Sequence, residues 1–230
     1  MPSLILLPGL LCDERLFAGQ RHALADLADI HVPELTGQDS IAAMAAHVLA
    51  TAPARFALLG LSMGGYVALE IMRRAPERVE RLALVDSQAR ADTEESKARR
   101  RGLIELTERG SFHGVTPRLL PLFIHPDRLG DADLTGTVQA MAERIGKAAF
   151  VRQQTAIMGR IDSRPHLRDI ACPTLVLAGL QDAVTPPEVQ IEMAGLIPEA
   201  TLVLLPRCGH LAPLERPEAV TRQLRLWLQA

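Results

Sequence analysis

Phe56-Ala57-Leu58-Leu59-Gly60-Leu61-Ser62-Met63-Gly64-Gly65-Tyr66 runs from an apolar stretch of strand length, through Gly-x-Ser-x-Gly, into a segment of helical period. A serine at a sharp strand-to-helix turn sits in strained backbone geometry. Glycines two residues before and after it, Gly60 and Gly64, let neighbouring backbone pass without collision. A helix starting at Met63 directs its free N–H groups and its positive end toward negative charge developing near Ser62.

Outward from that turn the chain alternates between short apolar runs and longer helical stretches, which predicts an α/β protein around a mostly parallel sheet. Six strands are expected, over residues 4–7, 30–33, 56–61, 79–85, 174–178 and 201–204. Several are nearly continuous Leu, Val, Ile and Ala, as in strands buried on both faces. Helices are expected over 13–28, 40–52, 63–75, 187–196 and 217–230, with Gly37, Pro76 and Pro198 as breakers. The alternation lapses over residues 92–167, where the pattern is helical. One helix is expected to start at a capping box formed by Asp92 and Glu95, with others over 117–123 and 143–158. The basic run Lys97, Arg99, Arg100, Arg101 reads as a solvated face balanced by Asp92, Glu94 and Glu95.

Composition narrows the function classes. The 230 residues are 48% hydrophobic and 23% charged, with 25 Lys+Arg against 27 Asp+Glu, a formal net charge of -2. That describes a folded single domain and supplies no positive field for a nucleic-acid partner. Residues 4–7 are too short for a signal peptide and no stretch reaches the length of a membrane span, so no membrane association is expected. The three cysteines, Cys12, Cys172 and Cys208, lack the pairing of a disulfide framework or a zinc site, which fits a cytoplasmic protein. No metal-binding cluster and no phosphate-cradling glycine loop is found, so no cofactor is expected.

A serine hydroxyl needs a base. Of the seven histidines, His210 follows the last expected strand and lies on the loop before the final helix, at the sheet edge where α/β proteins place their sites. His22, His31 and His47 fall on helices or a strand, and His113, His125 and His166 in or beside the 92–167 segment. The imidazole in turn needs a carboxylate to fix its tautomer. Asp182, just beyond the fifth strand, is the first candidate and Asp86, at the end of the fourth, the second; Asp162 reads as a capping or ion-pairing residue.

The chain order Ser62, Asp182, His210 resembles that of the α/β-hydrolase family, and the resemblance extends over nearly the whole chain. It implies one domain over 1–230 with residues 92–167 as a helical cap, on a trimmed six-strand core similar to small bacterial esterases. It also implies two oxyanion-hole N–H groups, one on Met63 and one on the loop Leu6-Leu7-Pro8-Gly9-Leu10-Leu11-Cys12-Asp13, at Leu10 or its neighbour Leu11. Many relatives carry His-Gly where this chain has Pro8-Gly9. Phe112, Phe123, Met141, Phe150 and Met158 either line an acyl pocket or pack the cap.

The expected activity is a serine hydrolase cleaving small-molecule carboxylic esters through an acyl-enzyme, as a monomer or homodimer. A C–C bond hydrolase, lactonase, thioesterase or acyltransferase would use the same three residues, and a non-catalytic ligand-binding protein could keep the scaffold.

Overall fold

The computed structural model describes residues 1–110 and 112–230. The chain order is β1 (Ser3–Leu7), α1 (Ala18–Ala23), β2 (Asp29–His31), α2 (Ile41–Thr51), β3 (Phe56–Leu61), α3 (Met63–Arg74) and β4 (Val79–Val85). There follow α4 (Glu94–Arg109), α5 (Leu120–Phe123), α6 (Ala132–Met158), β5 (Thr174–Gly179), α7 (Pro187–Leu196), β6 (Thr201–Leu205), α8 (Ala212–Glu215) and α9 (Pro217–Gln229). The strands form one parallel sheet in the order β2-β1-β3-β4-β5-β6.

Parallel strands need crossover connections, and the helices making them cover both sheet faces. Leu4, Leu6, Leu59 and Leu61 face one core with Trp227 and Leu224 of α9; Ile5, Leu7 and Leu58 face the other with α2, α3 and Met193 of α7. Burial on both faces explains the unbroken apolar reading of β3 and β5, every residue of which is buried, whereas the edge strands β2 and β6 are largely accessible. The chain leaves β1 toward β2 on one side and, from β3 onward, builds toward β6 on the other. The carboxyl ends of β1 and β3 therefore flank the topological switch point, where α/β sheets leave a crevice.

Three expectations change. The helix over 13–28 is a 3-10 turn, Glu14–Phe17, followed by a six-residue α1. The Asp13 carboxylate accepts from the Arg15 N–H two residues on, which tightens the start, and the fully buried Leu24 draws the chain into the core past its end. The helix over 143–158 begins at Ala132, capped by Asp131, and bends at Gly146, whose φ of 76° no ordinary helix holds. Its upstream half has weak helix formers, Thr135, Gly136 and Thr137, and is held by burial of Leu134, Val138 and Met141. The cap of α4 is Thr93, whose side chain accepts from the Ser96 N–H; Asp92 faces inward to Arg100 and Arg160. Lys97 and Arg99 do pair with Glu94 and Glu95 on the outer face.

No described helix is long and apolar enough to cross a membrane. Leu59 is fully buried in the central strand β3. Leu59→Ala should lower stability by about 2–5 kcal/mol, read from the urea midpoint at unchanged slope.

Candidate active site

The turn after β3 places Ser62 at φ 53°, ψ -114°, a backbone region that costs a non-glycine residue on the order of 1–3 kcal/mol. Its surroundings hold it there. The Ser62 N–H donates to the Val85 carbonyl at 3.0 Å, and Ser87 Oγ donates to the Ser62 carbonyl at 2.9 Å. A side chain at Gly64 would collide with the Leu7 carbonyl, and one at Gly60 with the backbone of Gly64, so β1, β3 and α3 meet only because both positions are bare.

Two other strand ends bring the expected partners to Ser62. His210, on the loop after β6, has Nε2 2.9 Å from Ser62 Oγ and Nδ1 2.8 Å from Asp182 Oδ2, on the loop after β5. All three side chains are buried. Asp182 Oδ2 also accepts from Thr185 Oγ1 at 2.6 Å, and Oδ1 accepts from the Val184 and Thr185 N–H groups at 2.8 and 3.0 Å. Burial works to raise the Asp182 pKa, but the His210 charge and the donors on His210 and Thr185 outweigh it and hold the carboxyl below the usual aspartate value. An ionised Asp182 can only accept, so in the neutral imidazole the proton sits on Nδ1 and Nε2 is left as the acceptor facing Ser62.

Asp86 is not in this relay. Its Oδ1 accepts from the Gly179 N–H at 2.8 Å and Oδ2 from the Ala212 N–H at 3.1 Å, which ties β5 and α8 to the end of β4. Complete burial and the nearby Asp182 charge push its pKa well above the usual value, so of the two carboxyls Asp182 keeps the charge. Asp162 pairs with Arg164. His22, His31, His47, His113 and His166 are exposed, and the half-buried His125 accepts from the Asp127 N–H through Nδ1.

A cavity of about 70 Å³ lies over Ser62 and His210, walled by the loop after β1 and by Arg100 of α4, Phe123 of α5 and Val138 and Ile157 of α6. Of the apolar residues in question only Phe123 lines it; Phe112 and Phe150 pack on each other with ring centroids 5.4 Å apart, and Met141 is fully buried. In the loop after β1, the Leu11 N–H donates to Gln153 Oε1 at 3.1 Å, while the N–H groups of Leu10 and Met63 have no partner among the described residues. Burial and the Asp13 charge push the Cys12 thiol up to about 12, and burial pushes the Cys208 thiol well above the usual thiol value, so both stay protonated packing groups.

Several residues of the site lay outside the sequence reading. Thr185, three residues beyond Asp182, follows the spacing of a local capping turn and could have been found from it. Gln153 reaches its partner across 142 positions, which no local pattern records. Glu215 is fully enclosed and accepts from the N–H groups of Gly209 (3.0 Å), Leu211 (3.3 Å) and His125 (2.7 Å), clasping the loop on both sides of His210. Arg128 donates to the Glu215 carbonyl. Glu215→Ala should strip three N–H groups, two of them enclosed, of their acceptor and lower stability by on the order of 3 kcal/mol or more in urea unfolding, with Glu215→Gln closer to wild type.

Residues 4–223 match the profile of the Alpha/beta hydrolase family. The putative non-heme bromoperoxidase BpoC of Mycobacterium tuberculosis is 34% identical over 196 residues, 80% of this chain and 72% of that one. The pimeloyl-[acyl-carrier protein] methyl ester esterase of Nitrosomonas europaea is 27% identical over 94% of this chain and 92% of its own. Among solved structures, a thermophilic esterase from Thermogutta terrifontis superposes with a TM-score of 0.89 at 30% identity, covering all of this chain and 90% of that one. With the family profile spanning almost its whole length, this chain belongs to the alpha/beta hydrolase family.

Proposed function

We propose that the protein is an ester-cleaving serine hydrolase acting on small-molecule carboxylic esters, with Ser62 as nucleophile, His210 as base and Asp182 as the residue orienting the imidazole. The observation that carries this reading is the continuous hydrogen-bonded line from Ser62 Oγ through both nitrogens of His210 to Asp182, at 2.9 and 2.8 Å, at the floor of a cavity. Two relatives are named esterases, which supports the choice of bond. Residues 92–167 are the cap of a single domain, and a cytoplasmic setting fits three free cysteines.

The chemistry follows from the geometry. As Ser62 Oγ bonds to the ester carbonyl carbon, its proton passes to His210 Nε2, and the imidazolium is stabilised by Asp182. The carbonyl oxygen takes up negative charge and is met by the N–H groups of Met63 and Leu10, neither of which has a partner among the described residues; the engagement of the Leu11 N–H by Gln153 supports Leu10 as the donor of that loop. The C–O bond to the alcohol breaks as His210 returns the proton to the departing oxygen. Water then gives a proton to His210 and its oxygen to the acyl carbon, and the acid leaves as the proton goes back to Ser62. A cavity of about 70 Å³ suits short acyl chains.

A fluorophosphonate probe should label the wild type, and short-chain p-nitrophenyl esters should be turned over, with both signals lost in Ser62→Ala at unchanged fold. Wild-type protein that folds yet is neither labelled nor active removes the reading.

A further inference from the structure

Arg100 is a cation in the wall of the cavity that holds Ser62, and cleavage of a neutral ester gives it no task. Its side chain is 22% exposed, with Nε donating to Asp92 Oδ2 at 2.7 Å and one terminal nitrogen donating to Gln154 Oε1 at 2.6 Å. The second terminal nitrogen has no partner among the described residues. The guanidinium is thus held through two of its three nitrogens, with one terminal amino group free.

Asp92 does not neutralise it. The other Asp92 oxygen lies 2.7 Å from a terminal nitrogen of Arg160, and both of those side chains are 4% exposed. One carboxylate therefore faces two guanidiniums, and the trio keeps one positive charge in excess. Arg160 is otherwise engaged: it donates to the carbonyls of Arg90 and Ile157, and it stacks on Tyr66 with its carbon 4.3 Å from the ring centroid. The surplus falls on Arg100, which borders the cavity with one terminal nitrogen unengaged, and no acidic residue lines that cavity among the described residues. A positioned guanidinium with a free terminal amino group is a charged donor suited to a carboxylate oxygen.

We propose that the cavity selects esters carrying a free carboxylate, with Arg100 holding the carboxylate while the ester carbonyl rests at Ser62, and with Asp92 and Gln154 as the positioning residues of the guanidinium. This rests on the hydrolase reading above. The substrates it describes are monoesters of short dicarboxylic acids, and the products are the diacid and an alcohol.

The test compares kcat/KM for monomethyl succinate, glutarate and adipate with that for methyl butanoate, pentanoate and hexanoate. The wild type should favour at least one acid-bearing ester over its neutral counterpart by about tenfold or more, the range of a hydrogen bond to a charged group. In R100Q that ratio should collapse toward one, mainly through KM, and R100K should keep part of it. Succinate should also slow fluorophosphonate labelling of the wild type, where butanediol at the same concentration does not, a readout that needs no variant to fold. A wild-type ratio near one, a ratio unmoved in R100Q, or equal effects of succinate and butanediol would overturn the proposal. Labelling and neutral-ester turnover that persist in those cases leave the hydrolase reading standing. A folded wild type that is unlabelled and hydrolyses neither series removes both.

Discussion

Ser62 is held at positive φ, and the rest of the site depends on that constraint. The left-handed turn lifts the side chain off the end of β3 instead of letting it follow the helix. It survives because the chain on either side has no freedom to relax: β3 is buried throughout, α3 lies against β1 through bare glycines, and the Ser62 peptide is pinned to Val85 and Ser87. Strain of on the order of 1–3 kcal/mol persists where surrounding packing over-determines it. The loops after β5 and β6 need only reach a point that the sheet has already fixed.

The buried acids around this point divide the work between charge and scaffolding. Asp182 receives four donors and keeps its charge beside the imidazole. Asp86 and Glu215 spend their oxygens on backbone N–H groups, so their effect is to hold loops in place: Asp86 joins the ends of β4, β5 and α8, and Glu215 encloses the His210 loop. Three carboxyls in one small volume are compatible because their partners differ.

Much of this was legible in the sequence because it is written in local patterns. Apolar runs mark β3, β5 and the second half of β4, Gly60 and Gly64 mark the turn, and chain order after the strands marks His210 and Asp182. What stayed hidden depends on distance or on competition. The 3-10 turn at Glu14 arises because Asp13 engages a nearby N–H, and the long α6 arises because burial overrides weak propensity around Gly136. The same limit applies to Arg100, which sits in a basic run whose neighbours Lys97 and Arg99 do lie on the outer face; its inward partners Asp92 and Gln154 separate it from them.

Gln153 and Gln154 are consecutive on α6 and point to different loops, one binding the Leu11 N–H and the other Arg100. A rigid helix carrying both makes the backbone that would meet the developing oxyanion and the side chain that would grip the distal end of a substrate parts of one mechanical member. Any rotation or slide of this half of α6, from Gly146 onward, changes both together. Energies of substitution along it will not add, and in the proposed reaction turnover rate and choice of substrate become coupled properties that cannot be altered independently by changing this helix.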